Sequence, residues 1–181
     1  MANAFAFLLE VIATMATFFF LARFLLQAAR ADFYNPLSQA IVRLTDPILK
    51  PLRRVLPGYR SLDFAAILVA LLVQAAFVWL LTGGTDAIPI AGVALFKTVT
   101  YLISILRWSI VIVAIASFIA QGSFHPALRL LDQIIEPVVS PFRKILPAMG
   151  GLDFAPLVAL VALYMLEMIL EDLFGRFLGL G

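Results

Sequence analysis

The sequence contains no cysteine and a single histidine, His125, among its 181 residues. The absence of cysteine excludes disulfides, thiolate metal sites and cysteine nucleophiles. One histidine cannot supply a cluster of histidine ligands, or a bis-histidine haem site, within one chain. The sequence also lacks a serine–histidine–aspartate set and a glycine-rich phosphate loop. We therefore expect no enzyme activity, no metal site and no cofactor.

Charged residues are also scarce, at 13% of the chain, whereas hydrophobic residues make up 64%. A soluble domain is about 45–50% apolar, so most of this chain is expected to face lipid. The net charge of +2 is too small to suggest nucleic-acid binding. The N-terminal stretch MANAFAFLLE lacks a basic region, which favours a retained membrane helix over a cleaved signal peptide.

Four apolar segments are long enough to cross a membrane. A crossing helix needs about 17–25 residues, and helices satisfy their own backbone groups in lipid. The segments are Ala4–Ala29, Phe64–Leu81, Val93–Ala120 and Phe154–Leu170. The sequence therefore predicts an all-α membrane protein with four transmembrane helices.

A proline-rich stretch between the first two segments returns 90 residues later, between the last two. The recurring prolines are Pro36, Pro47, Pro51 and Pro57, followed by Pro126, Pro137, Pro141 and Pro147. Arg53-Arg54 recurs as Arg143-Lys144, and Leu-Asp-Phe-Ala recurs after it. The duplication divides the chain into repeat one (1–83), an external linker (84–92) and repeat two (93–181). The connectors within the repeats are residues 31–62 and 121–152.

The arrangement of the repeats follows from the number of spans and the position of the basic residues. Two spans per repeat insert both repeats in the same orientation, related by an axis along the membrane normal. Six basic residues near the first connector and three in the second make nine of the thirteen in the chain. Because basic loops stay inside, we expect cytoplasmic connectors and periplasmic termini.

Each connector carries two signals for the start of a helix. Asn35-Pro36 and Asp46-Pro47 place a capping residue before a proline, and Pro51 is expected to kink the second helix. Leu37, Ile41 and Leu44 fall on one apolar stripe. We therefore predict two short amphipathic helices per connector, lying in the membrane interface.

Five basic residues of the connectors are predicted to face the headgroups of anionic lipids. We call them the basic platform: Lys50, Arg53, Arg54, Arg143 and Lys144. One interpretation is an interfacial anchor that sets helix tilt. A second is a docking site for a membrane or cytoplasmic protein partner, and a third is a re-entrant, pore-lining segment.

Two aspartates, Asp63 and Asp153, each stand at the start of a span. A carboxylate there accepts unsatisfied N–H groups and opposes the helix dipole. We predict that both are helix N-caps. The alternative, an ion- or proton-binding carboxylate, would be expected deeper in the membrane.

Several charged residues fall inside the apolar segments. Arg107 and Glu167 each lie 13 residues from the inner end of their segment, about 20 Å deep, which predicts an ion pair because a lone charge there is costly. The pair could be a structural pin or a ligand or proton site, or Glu167 could instead meet another subunit or the outer water. The equivalents in repeat one, Thr17 and Phe77, cannot form such a pair. Arg23 lies near the inner end of its segment and is expected to extend to the interface.

The duplicated motif D/E-P-x-x-x-P-[LF]-R-[RK]-[VI]-L-P, followed by L-D-F, resembles the YggT (YlmG) family of small bacterial membrane proteins. The resemblance covers nearly the whole chain as two copies of a two-span unit. It implies an integral inner-membrane protein of a Gram-negative bacterium. It also implies links to osmotic-shock tolerance, potassium uptake and cell division and, in plastid relatives, to nucleoid distribution and assembly of a b-type cytochrome complex.

Two functions are consistent with these features. The first is a non-enzymatic membrane scaffold or assembly factor that binds anionic lipids and a membrane-protein partner, or a second copy of itself, without direct contact to nucleic acid. The second is an oligomeric ion channel or transporter subunit involved in osmotic or potassium balance. Its candidate polar path would include Arg107, Glu167, Gln74 and Glu10.

Overall fold

A computed structural model describes residues 2–84, 86–119, 125–146 and 153–178. These ranges form six helices and contain no strand apart from an isolated bridge between Tyr59 and Leu62. The helices are α1 (Ala2–Ala28), α2 (Pro36–Leu52), α3 (Phe64–Thr82), α4 (Ala87–Ile119), α5 (Pro126–Ile145) and α6 (Ala155–Leu178). The predicted all-α class is confirmed.

Three of these helices are long and apolar enough to cross a membrane. The qualifying stretches are Ala4–Ala28 in α1, Phe64–Thr82 in α3 and Ala87–Ser117 in α4. The fourth predicted segment corresponds to α6, which has 24 residues. It is not among the three, and it carries Glu167, Glu171 and Asp172 in its second half.

The helices α3 and α4 are separated by a shorter linker than the sequence predicted. Gly83 ends α3 in the left-handed conformation, with φ of 58°, as glycine commonly does after a helix. The helix α4 begins at Ala87, so residues 87–92 are helical rather than part of the linker. Pro89 is tolerated because it lies in the first turn, where N–H groups have no partner within the helix. The helix has 33 residues and is about 50 Å long.

Each connector forms one continuous helix, so the prediction of two short helices was wrong. Pro47 and Pro51 lie inside α2, and Pro137 and Pro141 lie inside α5. Each proline removes one backbone hydrogen bond, but side chains between the prolines are buried and hold the helix against its neighbours. Leu49 and its counterpart Val139 are both fully buried, and burying a side chain of this size contributes about 1.5–3 kcal/mol. Pro57 follows α2, and Pro147 lies outside the described residues.

The two connectors contact each other near the start of α2. The predicted cap of α2 is confirmed, since Asn35 Oδ1 accepts the Leu37 N–H at 3.0 Å. Asn35 Nδ2 also donates to the Pro126 carbonyl of α5 at 2.7 Å. The backbone N–H of Asp32 donates to Gln133 Oε1 at 2.9 Å. The same residues that begin α2 therefore join the two repeats.

Small residues allow the helices of each repeat to pack closely. Ala66 and Ala70 of α3 are fully buried in a cluster that includes Phe20 and Leu21 of α1. Close approach of backbones at small residues is a general feature of membrane helix pairs. In repeat two, the alanines at positions 155 and 159 of α6 are likewise fully buried.

A larger side chain at Ala70 should overfill the interface between α1 and α3. We expect Ala70→Leu to destabilise the protein by about 1–3 kcal/mol, because a packed core has no room for added methylenes. Thermal unfolding in mild detergent measures the effect. Ala76→Leu, at an exposed position of the same helix, is the matched control and should unfold like the wild type. Equal stability of the two variants would contradict the packing.

Candidate functional site

An ion pair fastens the end of α2 to the start of α3. Arg53 follows the last residue of α2, and its Nη2 donates to Asp63 Oδ2. The Asp63 side chain is 1% exposed, whereas that of Arg53 is 29% exposed. A buried carboxylate is costly unless it is paired. The pair therefore fixes the direction in which the chain leaves the connector and enters the next helix.

The same contact recurs in repeat two. Arg143 Nε donates to Asp153 Oδ2 at 2.8 Å, and Arg143 also pairs with Glu136. The Arg143 and Asp153 side chains are 38% and 36% exposed. Both pairs join the arginine of the duplicated motif to the aspartate of Leu-Asp-Phe. The contact between this arginine and this aspartate was not predicted from the sequence, although their identical ten-residue spacing in both repeats indicated it.

In the second pair, Arg143 and Asp153 each shift the pKa of the other. The hydrogen bond from Arg143 lowers the pKa of Asp153, and the Ala155 N–H adds to this effect. The hydrogen bond to Asp153 in turn raises the pKa of Arg143. Because the folded pKa of Asp153 lies below that of an unfolded aspartate, about 3.9, its contribution to stability is present above that value. It is lost as the pH falls through the folded pKa.

The two aspartates differ as helix caps. Asp153 Oδ1 accepts the Ala155 N–H at 2.9 Å and caps α6. Asp63 occupies the cap position of α3, but its side chain makes no capping hydrogen bond, so this part of the prediction was wrong. Its Oδ2 instead accepts the hydrogen bond from Arg53, and the cap position supplies only its backbone carbonyl, which accepts from Ala66 at 3.2 Å.

The ion pairs change the composition of the basic platform. Arg53 and Arg143 point to aspartates rather than to headgroups, which corrects the prediction for these two residues. Lys50 lies 3.1 Å from Asp46, with its side chain 72% exposed. Arg54 and Lys144, which follow the paired arginines, are both exposed. The exposed cations of the platform are therefore Lys50, Arg54 and Lys144.

The helix α2 buries polar side chains and exposes apolar ones. Ser38 and Thr45 are buried, whereas Leu44 and Ile48 are 60% and 47% exposed. The buried hydroxyls bond to backbone carbonyls, that of Thr45 to Ile41 at 2.7 Å, which satisfies them away from water. The predicted stripe of Leu37, Ile41 and Leu44 is thus largely turned outward. Exposed apolar surface of this kind marks contact with lipid or protein.

Arg107 and Glu167 are brought together between α4 and α6. Arg107 Nη1 donates to Glu167 Oε2, and the two side chains are 15% and 13% exposed. The guanidinium carbon of Arg107 also lies 4.1 Å from the centre of the Tyr164 ring. Glu167 neutralises the charge of Arg107, and the Tyr164 ring covers its guanidinium.

Repeat one has a polar contact at the corresponding place. Gln74 Nε2 donates to Thr17 Oγ1 at 2.8 Å, and both residues are buried. Thr17 and Gln74 are the counterparts of Arg107 and Tyr164 in the 90-residue register. The expectation that the ion pair is not duplicated holds, because Phe77 replaces Glu167. An interhelical polar contact at this position is nevertheless present twice.

Arg23 does not extend to the interface, which corrects the prediction. It is 7% exposed, and its guanidinium carbon lies 5.0 Å from the centre of the Phe33 ring. The chain turns back after α1, so that Phe33 covers the end of the helix. Its Nε and Nη1 have no hydrogen-bond partner among the described residues.

The described ranges contain no group of three or more histidine, aspartate or glutamate side chains placed to hold a metal ion. Their polar chemistry consists of the ion pairs, the exposed cations and the buried contacts between helices. This arrangement can bind anions or a complementary protein surface.

The burial of the two duplicated ion pairs predicts unequal consequences of breaking them. Arg53→Gln leaves the buried Asp63 carboxylate uncompensated, and we expect a loss of about 3–5 kcal/mol in stability. Arg143→Gln breaks an exposed pair and should cost no more than about 1 kcal/mol. Thermal unfolding in detergent at one pH compares the two matched variants. An equal loss for both would contradict the difference in burial.

The contact between Arg107 and Glu167 predicts rescue by exchange. Arg107→Glu places two carboxylates together and should deplete the protein from the membrane fraction. The double variant Arg107→Glu/Glu167→Arg should restore the membrane level. Quantitative immunoblotting of membrane fractions measures this. Glu171→Arg, at an exposed position on the same helix, is the control, and failure of the exchange to restore the level would reject the pairing.

A comparison with known sequences places these features in a family. The CCB3/YggT family model matches the chain twice, over residues 2–83 and 92–174. The chain is 38% identical over 170 residues to YggT of Escherichia coli K12, covering 92% of this chain and 88% of that one. An uncharacterised protein of Pseudomonas aeruginosa is 36% identical over 180 residues, covering 96% and 91%.

A protein of Vibrio alginolyticus, described as an uncharacterised protein in the proC 3' region, is 36% identical over 179 residues and covers 96% of each chain. No solved structure matches the chain. The two matches to the family model separate at the boundary between the repeats, near the start of α4. The chain therefore belongs to the CCB3/YggT family and carries two tandem copies of its repeat.

Proposed function

We propose that this protein is a non-enzymatic scaffold or assembly factor of the bacterial inner membrane. In this proposal the two repeats have the same orientation, the connectors α2 and α5 face the cytoplasm, and both termini face the periplasm. The observation that carries it is the outward face of α2, where exposed leucine and isoleucine side chains lie beside exposed cations. Such a face is suited to an anionic lipid surface or a protein partner.

A fourth span formed by α6 is part of the proposal. The helix has 24 residues, about 36 Å at 1.5 Å per residue. Its charge within the apolar part, Glu167, is paired with Arg107. Met165, Met168 and Ile169 are 59–67% exposed on the same helix, which suits contact with lipid. The acidic residues beyond them, Glu171 and Asp172, would then reach the periplasmic headgroups.

The duplicated ion pairs support a role in presenting the connectors. Each pair ties a connector to an aspartate just before the next helix, so the exposed cations next to it have a fixed position. Cross-connector hydrogen bonds from Asn35 and Asp32 hold the two copies side by side. A fixed, paired surface favours recognition of a partner, because less conformational freedom is lost on binding. The family link to osmotic stress would then reflect the organisation of a membrane complex.

An ion-conducting oligomer is the alternative, and the polar contacts favour it less. Gln74 bonds to Thr17 between α1 and α3, whereas Arg107 pairs with Glu167 between α4 and α6. Gln74, Arg107 and Glu167 thus make their contacts within two separate helix pairs, although Gln74 Oε1 and Arg107 Nε have no partner among the described residues. This pattern is typical of contacts that hold helices together.

The proposal is tested with a variant that removes the exposed cations and keeps the Arg53–Asp63 and Arg143–Asp153 ion pairs. Lys50→Ala/Arg54→Ala/Lys144→Ala should fold like the wild type and bind several-fold less to vesicles that contain phosphatidylglycerol. It should also lose the proteins that co-purify with the wild type from mild detergent. Sedimentation with vesicles and quantitative mass spectrometry of the captured proteins are the measurements.

The matched control is Arg43→Ala/Arg129→Ala/Arg176→Ala, which removes three exposed cations outside the platform. It should retain vesicle binding and partners. Potassium flux in proteoliposomes is measured in parallel. Flux in the wild type that Glu167→Gln abolishes would favour the channel, and unchanged partner capture by the platform variant would reject the scaffold.

A further inference from the structure

A cleft of about 620 Å³ opens where the end of α1 meets the loop that precedes α3. It is lined by Gln27, Arg30, Ala31, Phe33, Arg60 and Ser61. Gly58 lets the loop fold back on itself, because a Cβ there would lie 2.9 Å from the Leu62 carbonyl oxygen. The described lining residues thus include two guanidinium groups, an amide and a hydroxyl, and no carboxylate.

Both arginines of the cleft occupy a backbone conformation that glycine favours. Arg30 has φ of 52° and Arg60 has φ of 55°, and they are the non-glycine residues with positive φ in the described ranges. Arg30 lies in the turn that ends α1, where the Ala31 N–H donates to the Leu26 carbonyl at 2.9 Å. Glycine is the usual residue at such a position, and another L-residue is strained there. Strain of this kind is concentrated at functional sites.

The loop side of the cleft is held by a second tight turn. Arg60 and Ser61 lie between Tyr59 and Leu62, whose backbones exchange hydrogen bonds at 3.2 and 3.0 Å. This turn again uses a positive φ at an arginine rather than a glycine. Two turns from different parts of the chain therefore bring two arginine side chains to one cleft.

A third arginine lies behind the cleft. Arg23 lies one turn before Gln27 on α1 and is 7% exposed. Its guanidinium packs against the ring of Phe33, which lines the cleft. Its Nε and Nη1 make no hydrogen bond to the described residues. Buried donors without partners are costly, and their positive charge adds to the attraction of the cleft for an anion.

Repeat two does not reproduce this cluster. The counterparts of Arg23, Arg30 and Arg60 in the 90-residue register are Val113, Ala120 and Gly150. At the position of the left-handed Arg60, the sequence of repeat two has a glycine, which carries no basic side chain. The three arginines of repeat one are thus a property of this site and not of the duplicated fold.

We propose that the cleft binds a phosphate group, carried by the headgroup of an anionic phospholipid. Guanidinium groups match the geometry of phosphate oxygens, and the amide of Gln27 and the hydroxyl of Ser61 add uncharged donors. Exposed aromatic residues beside the cleft, Tyr34 at 90% and Tyr59 at 63%, are typical of side chains at the level of the headgroups. This site is separate from the basic platform and does not depend on the scaffold function.

The test replaces the two strained arginines by glycine. Arg30→Gly/Arg60→Gly removes both guanidiniums and keeps the positive φ without strain, so the variant should fold as well as the wild type. Native mass spectrometry of the full chain in detergent, titrated with phosphatidylglycerol, should show at least a tenfold weaker affinity for the first bound lipid. Arg43→Ala/Arg129→Ala, which removes two exposed cations outside both the cleft and the basic platform, is the matched control for charge and should retain that affinity.

Two further arms identify the source of the phosphate. Inorganic phosphate should displace the lipid only at concentrations at least a hundredfold higher, and phosphatidylcholine should bind equally to wild type and variant. If inorganic phosphate displaced the lipid at a concentration equal to that of the lipid, the cleft would still be a phosphate site. Its ligand would then be a soluble phosphate compound, and the assignment to a lipid headgroup would be rejected. Equal binding of phosphatidylglycerol to wild type and the glycine variant would overturn the proposal.

Discussion

The ion pair between the arginine that ends each connector and the aspartate that begins the next helix constrains the rest of the structure. It joins side chains that are ten positions apart, where a connector leads into the next helix. In repeat one the pair compensates the charge of the buried Asp63 carboxylate, although Asp63 Oδ1 has no partner among the described residues. The neighbouring cation, Arg54 or Lys144, is left exposed. The direction in which the chain enters α3 and α6 depends on this junction, whereas the connectors contact each other through Asn35 and Asp32 at the opposite end of α2.

The two copies have diverged around a common plan. Arg53 and Asp63 are more buried than Arg143 and Asp153, and the polar contact between the paired helices is neutral in repeat one and charged in repeat two. The arginine and aspartate of the junction are retained in both copies, whereas the polar residues between the paired helices differ in charge. A duplicated fold can in this way keep one architecture and give each half its own chemistry.

Much of the fold could be predicted from the sequence, because apolar length and the 90-residue repeat are strong signals. The all-α class, the ends of α3 and the contact of Arg107 with Glu167 are examples. Continuity of α2 through Pro47 could not be predicted, since a local helix-start signal was outweighed by tertiary packing of Thr45 and Leu49. The position of Arg23 and the cleft of Arg30 and Arg60 depend on how two distant turns meet, which no local pattern encodes.

The length of α4 has a geometric consequence for the whole molecule. Its 33 residues extend about 50 Å, whereas the hydrocarbon layer is about 30 Å thick. Even at a tilt of about 40°, near the upper limit for such helices, the helix rises about 38 Å along the membrane normal. A membrane-crossing α4 would therefore place about 8 Å or more of its length among the headgroups. The neighbouring α3, with 19 residues, is about 28 Å long, so α4 is about 21 Å longer than the helix against which it packs.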